Sequence, residues 1–143
     1  MVKISTLRQS MFLRFSILAL LSLCASCSSL QKEKLTELGF PLNQPIPVKF
    51  KVDWLQWGES KSGGPDDGEL VLSEHNMSAK FPRLNYQFSL EIVRWEGNKF
   101  IATDERVAHP YYCEVTERQL ICRHNKLPQV DYQATYTYTL LSQ

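Results

Sequence analysis

No stretch of this chain is apolar for long enough to cross a membrane as a helix. The longest candidate, Phe15 to Leu23, falls well short of the about 20 apolar residues such a helix needs. A block of like charge is also missing. Sixteen Lys and Arg face fifteen Asp and Glu, a net charge of +1, so the electrostatic footprint of a nucleic-acid binder is absent. Histidine is scarce. His75, His109 and His124 have no metal-ligand spacing and no Ser or Cys nucleophile at a recognisable offset. Gly58-Glu59-Ser60-Lys61-Ser62-Gly63 misses the spacing of a nucleophile elbow. Glycine numbers six, and Gly58, Gly63, Gly64 and Gly68 crowd into one segment. That segment, 58–68, is expected as a long exposed turn region. Its Asp66-Asp67-Gly68-Glu69 lacks the spacing of a calcium loop and is expected as a solvated turn. Asn76-Met77-Ser78 fits a glycosylation sequon by pattern alone.

What the N-terminus does have is order. Lys3, Arg8 and Arg14 come first without an acid, then the apolar run, then the small residues Ala25 and Ser26. Basic, apolar and small in that sequence is the secretory signal pattern. Ala25-Ser26-Cys27 resembles the end of a bacterial lipoprotein signal peptide. The resemblance implies cleavage before Cys27, diacylglycerol on the Cys27 sulfur and acylation of the new N-terminus. The partner at this end would then be the lipid bilayer. Ser28 follows the cysteine, and resemblance to enterobacterial lipoproteins implies the periplasmic face of the outer membrane. Removing 1–26 leaves 117 residues with 13 basic and 15 acidic side chains, one domain's worth of chain.

Export supplies an oxidising compartment, and Cys113 and Cys122 remain as a pair. A hairpin with Glu117-Arg118 at its tip puts Thr116 opposite Gln119, Val115 opposite Leu120 and Cys113 opposite Cys122. Directly opposed cysteines lie within disulfide reach. Two free thiols or two metal ligands are the alternatives. Eight intervening residues with no nearby second Cys or His pair speak against a metal.

Residues 27–45 are expected as the lipidated cysteine and a flexible tether. Leu35, Leu38 and Gly39 allow a helical turn or two there, and Pro41, Pro45 and Pro47 interrupt it. From 46 to 143 the apolar period is two. Val48, Phe50, Val52 and Trp54 alternate with Lys49, Lys51 and Asp53. Tyr86, Phe88, Leu90 and Ile92 alternate with Gln87, Ser89 and Glu91, and Tyr132 to Leu140 alternates with threonines. With the cysteine hairpin this predicts an all-β domain: an antiparallel β-sandwich of about seven strands, with an immunoglobulin-like arrangement as one version. Parity puts Trp54 on the core face and Trp57, Val93 and Trp95 on the other. Trp57 and Trp95 therefore form a candidate binding patch, against the alternative that this second face also packs. The expected function is a lipid-anchored, non-enzymatic binding module of the cell envelope, without cofactor or metal, whose partner is another envelope protein. The alternatives are an envelope hydrolase or metal-binding enzyme, and a small lipoprotein inhibitor of an envelope-attacking enzyme such as lysozyme. Two histidines and an acid clustered in one cleft would favour the enzyme.

Overall fold

A computed structural model of the chain describes residues 29–124 and 132–141. The expected signal, 1–26, and the expected lipid site Cys27 lie outside the described residues. A helix, α1, covers 29–37. Eight strands follow: β1 (Pro45–Gln56), β2 (Glu59–Leu72), β3 (Asn76–Phe81), β4 (Tyr86–Glu96), β5 (Lys99–Asp104), β6 (Val107–Thr116), β7 (Gln119–His124) and β8 (Tyr132–Leu140). Each strand pairs antiparallel with the next, and β8 returns to β1, so the sheet closes into an up-and-down barrel.

The chain is all-β and antiparallel as expected, but the sandwich is corrected to a barrel and the strand count to eight. The reason lies in β1, which pairs along both edges. Its ladder to β2 starts at Pro45, and its ladder to β8 runs from Val48↔Leu140 to Gln56↔Tyr132. Closure satisfies backbone groups that two separate sheets would leave at their edges. The extra strand is β3, and β2, expected only around Leu70 and Leu72, extends back through the segment expected as a turn region. Trp57 and Gly58 have φ of 50° and 77°, the positive pair a tight two-residue hairpin turn requires. Two of the glycines beyond it, Gly63 and Gly68, lie under aromatic rings. A Cβ on Gly68 would meet Phe81 Cδ1 at 2.4 Å, and one on Gly63 would meet the Trp54 ring at 3.4 Å. Glycine here makes room for a ring rather than a turn.

Along β1 the exposed Lys49 and Lys51 alternate with the buried Val48 and Phe50. The apolar face points into the barrel and the charged face outward, the reverse of a lipid-spanning strand. Among the described residues no helix is long and apolar enough to cross a membrane.

Hairpin turns alternate between the two ends of such a barrel. The β2–β3, β4–β5 and β6–β7 connections share one end with α1, and this end is closed. Leu35 of α1 and Phe40 behind it are fully buried in the core with Val48, Leu72, Met77 and Val115. The segment 29–44 therefore packs against the barrel, where a flexible tether over 27–45 was expected. Its helix ends in a Schellman cap: the Phe40 N–H donates to the Leu35 carbonyl at 2.8 Å and the Gly39 N–H to that of Thr36 at 3.0 Å. Gly39 has φ +87°, and a Cβ there would meet Leu140 Cδ1 at 2.4 Å. The cap thus turns the chain so that Phe40 enters the barrel. The Asn43 N–H donates to Leu72 and Lys32 pairs with Glu74 at 2.8 Å, fixing the segment to the β2–β3 connection.

The hairpin register read from the sequence is present. Cys113↔Cys122, Val115↔Leu120 and Thr116↔Gln119 are opposed across β6 and β7, and a disulfide joins the cysteines. Their Cα atoms are 4.0 Å apart, as in the closer, non-hydrogen-bonded type of cross-strand pair. Both are buried beside Val115 and Leu120.

Candidate functional site

Among the described residues no segment plugs the other end of the barrel, and its wall is aromatic. Phe50 of β1, Phe81 of β3, Phe88 of β4 and Tyr138 of β8 face inward below the rim. Tyr86, Tyr111 and Tyr136 continue the wall upward. Phe50 touches Phe81 and Tyr138 with ring centroids at 4.7 and 5.2 Å. Tyr111 meets Tyr136 edge-on at 5.8 Å, and Tyr86 lies 6.1 Å from Phe88. Pairs of this kind contribute about 0.5–1.5 kcal/mol each beyond their area burial. They surround a cavity of about 80 Å³, lined by these rings other than Phe81, with Leu90, Cys122 and one charged residue, Asp104. Burial pushes the Tyr138 hydroxyl well above its ordinary pKa, so it stays protonated.

Asp104 ends β5 at the rim. Its side chain is 10% exposed because Arg106 covers it. The Arg106 guanidinium donates from Nε to Oδ1 at 3.1 Å and from Nη2 to Oδ2 at 2.8 Å, and the Arg106 backbone N–H donates to Oδ1 at 2.9 Å. The guanidinium, and after it the backbone donor, hold the Asp104 carboxyl below the usual carboxylate range.

His109 and His124 meet on the neighbouring wall. Their rings are 6.2 Å apart, and His124 Nε2 lies 3.1 Å from the His109 carbonyl oxygen. His124 is buried and stacks on Tyr111 at 4.6 Å and 11°. Neither imidazole lines the cavity that Asp104 lines, so the two histidines and the acid do not share one cleft. His75 is at the closed end. Among the described residues no three His, Cys, Asp or Glu side chains gather as a metal site.

The expected patch of Trp57 and Trp95 is not one patch. Trp57 sits at the β1–β2 turn, at the open end, and is 74% exposed. Trp95 is at the closed end, tilted against Phe100 with ring centroids 4.5 Å apart and its indole N–H donating to the Glu74 carbonyl at 3.0 Å. A β-bulge at Val93 is the cause. Ile92 pairs with Ala102 but Arg94 with Ile101, so Val93 stands outside the ladder at 62% exposure and Trp95 turns back toward the core.

A larger recess of about 720 Å³ lies on the outer surface of β3, β4 and β5. It is open, shares Phe88 and Asp104 with the mouth and includes Arg106, and its Asn76 and Ser89 hydrogen-bond to each other. The mouth is the better candidate because rings from five strands and a shielded carboxylate converge on it. It was missed in the sequence although Tyr86, Phe88, Tyr136 and Tyr138 all stand on strands expected to alternate. Periodicity gives their face but not their level along the barrel axis. In comparison with known proteins, the chain matches no protein-family model, no curated protein and no solved structure.

Proposed function

We propose that this chain is a lipid-anchored lipoprotein of the bacterial envelope, facing the periplasm, and that its barrel is a non-enzymatic binding module that engages another envelope protein through the aromatic mouth. The observation that carries the reading is the polarity of the barrel. The segment leading from Cys27 plugs one end, and the aromatic mouth opens at the other. An anchor at Cys27 holds the closed end and leaves the mouth accessible. Mouths of small barrels are a recurrent place for recognition sites. The separation of His109 and His124 from the Asp104 cavity weakens the hydrolase alternative.

Two measurements test this. The N-terminal peptide of the membrane-bound protein should carry acyl mass on Cys27, and Cys27→Ala should release the protein from the membrane fraction. A photoreactive phenylalanine in place of Tyr86, half-exposed at the rim, should capture a protein in intact envelopes. The same probe in place of Lys49, on the outer wall, should not. Capture from position 49 but not from 86 would move the binding surface to the outside of the barrel.

A further inference from the structure

We propose that the mouth is a seat for one basic side chain of a partner protein, an arginine or lysine tip held between the aromatic wall and Asp104, and that Arg106 covers this seat in the unpartnered chain. The inference rests on the binding-module reading and names the chemistry its partner presents.

Size comes first. Small-molecule sites usually enclose about 300–1,000 Å³. The mouth encloses about 80 Å³, which suits the tip of a side chain. The wall chemistry comes second. Tyr86, Phe88, Tyr111 and Tyr136 offer ring faces, which attract cations through their quadrupoles. Asp104 is the charged residue lining that cavity, and a carboxylate facing aromatic rings selects a cation over a neutral group. The third observation is Arg106 itself. Its fork on Asp104 demonstrates that a guanidinium fits the carboxylate from the rim side. Yet its side chain remains 70% exposed. It covers Asp104 from the side of the outer recess and does not line the aromatic cavity. The carboxylate of this pair is shielded, so an incoming cation must take over its hydrogen bonds as Arg106 leaves, which a guest guanidinium does like for like. A guest that reaches deeper adds ring contacts that Arg106 does not use. Arginine suits the site particularly, because its planar fork matches a carboxylate and stacks on rings.

The test titrates the full chain, in neutral detergent, with N-acetylarginine methylamide. Its neutral isostere, N-acetylcitrulline methylamide, is the control. Ring resonances of Tyr86, Phe88, Tyr111 and Tyr136 are followed by NMR. The arginine probe should shift them and the citrulline probe should not. Arg106→Ala should bind the arginine probe about ten-fold more tightly than the unaltered chain, because Asp104 is then uncovered. Adding Asp104→Asn to Arg106→Ala should remove about that factor again. Tyr86→Ala, at the half-exposed rim, is the second variant should Asp104→Asn fail to fold, and it should weaken the arginine probe. Equal shifts with citrulline, or no ring shifts in Arg106→Ala at the highest soluble probe concentration, would overturn the proposal. If position 86 still captures a partner in envelopes while the arginine probe fails, the binding module stands and the cation seat does not.

Discussion

Asp104 and Arg106 show how two residues set the state of a site. The carboxylate receives three hydrogen bonds from one residue two places on, so its proton affinity falls below the ordinary value near 3.9. The sign of the linkage follows. A depressed carboxylate pKa contributes stability that is fully present above the unfolded-state pKa and is lost as pH falls through the folded-state one. Arg106→Ala removes both side-chain donors but leaves the backbone N–H. The Asp104 carboxyl carbon should therefore titrate at higher pH in Arg106→Ala than in the parent chain, while staying somewhat below the ordinary value. The difference in melting temperature between the two proteins should be flat from about pH 5 to 7 and should shrink below about pH 4. Following the Asp104 resonance individually matters, because Asp53 is also held low, by the Ser62 hydroxyl and then by Lys51. An Asp104 titration unmoved by Arg106→Ala would mean that the guanidinium does not hold the carboxylate in solution.

Elements reveal where reading by pattern succeeds and where tertiary structure overrides it. The β6–β7 hairpin was legible down to its register, because two cysteines, two apolar residues and a two-residue tip all agree on one pairing. The first part of β2, up to Gly68, was not, because Gly63, Gly64, Pro65 and Gly68 argue locally for a turn. Their strand conformation depends on β1 alongside and on rings of Trp54 and Phe81 above, which no local window contains. Parity failed at Val93 for a similar reason, since a bulge is visible only against its partner strand. The glycine, proline and acidic residues of β2 also have a use where the strand extends beyond its ladder to β3, which begins at Glu69↔Lys80. Such residues discourage pairing with a foreign chain. Helix α1 was foreshadowed by Leu35, Leu38 and Gly39, but not its burial. An isolated helix of this length is marginal in water, so its order comes from the core it plugs. Leu35→Ala should cost about 2–5 kcal/mol, while Leu30→Ala, at a 65% exposed position of the same helix, should cost little. Urea melts of the two variants check this. Equal small effects would mean that α1 does not close the barrel in solution.

At the scale of the whole molecule, closure was the feature least accessible to the sequence, because β1 and β8 pair across almost the entire domain. The mouth was missed with it, since its level emerges when β1, β3, β4, β6 and β8 are brought into register. Closure also gives the molecule two unlike ends, and that has a consequence for how the proposed Cys27 anchor would set it on a membrane. Cys27 is two residues from Ser29, the first residue of α1 in the described structure. Two residues span at most about 7 Å. With acyl chains on Cys27, the start of α1 must therefore lie at headgroup level, and the closed end with it. That end exposes Leu30 at 65% and Val93 at 62%. Lys32 and Arg94, paired with Glu74 and Glu96, flank a recess beside Val93, and exposed apolar side chains rimmed by charged ones suit the boundary between acyl chains and headgroups. β1 then carries Trp57 away from the surface. Twelve residues at about 3.3 Å each, tilted about 40°, put it about 30 Å further out along the barrel axis. Single-tryptophan chains in vesicles with brominated lipid read this directly. With the native tryptophans replaced by phenylalanine, Val93→Trp should be quenched. A chain retaining Trp57 alone should not be. The reverse pattern would mean that the barrel stands mouth-down. Quenching of neither, with acyl mass present on Cys27, would mean that α1 leaves the barrel when anchored. Absence of that mass would instead remove the anchor itself, and each failure is told from the others by the same two measurements.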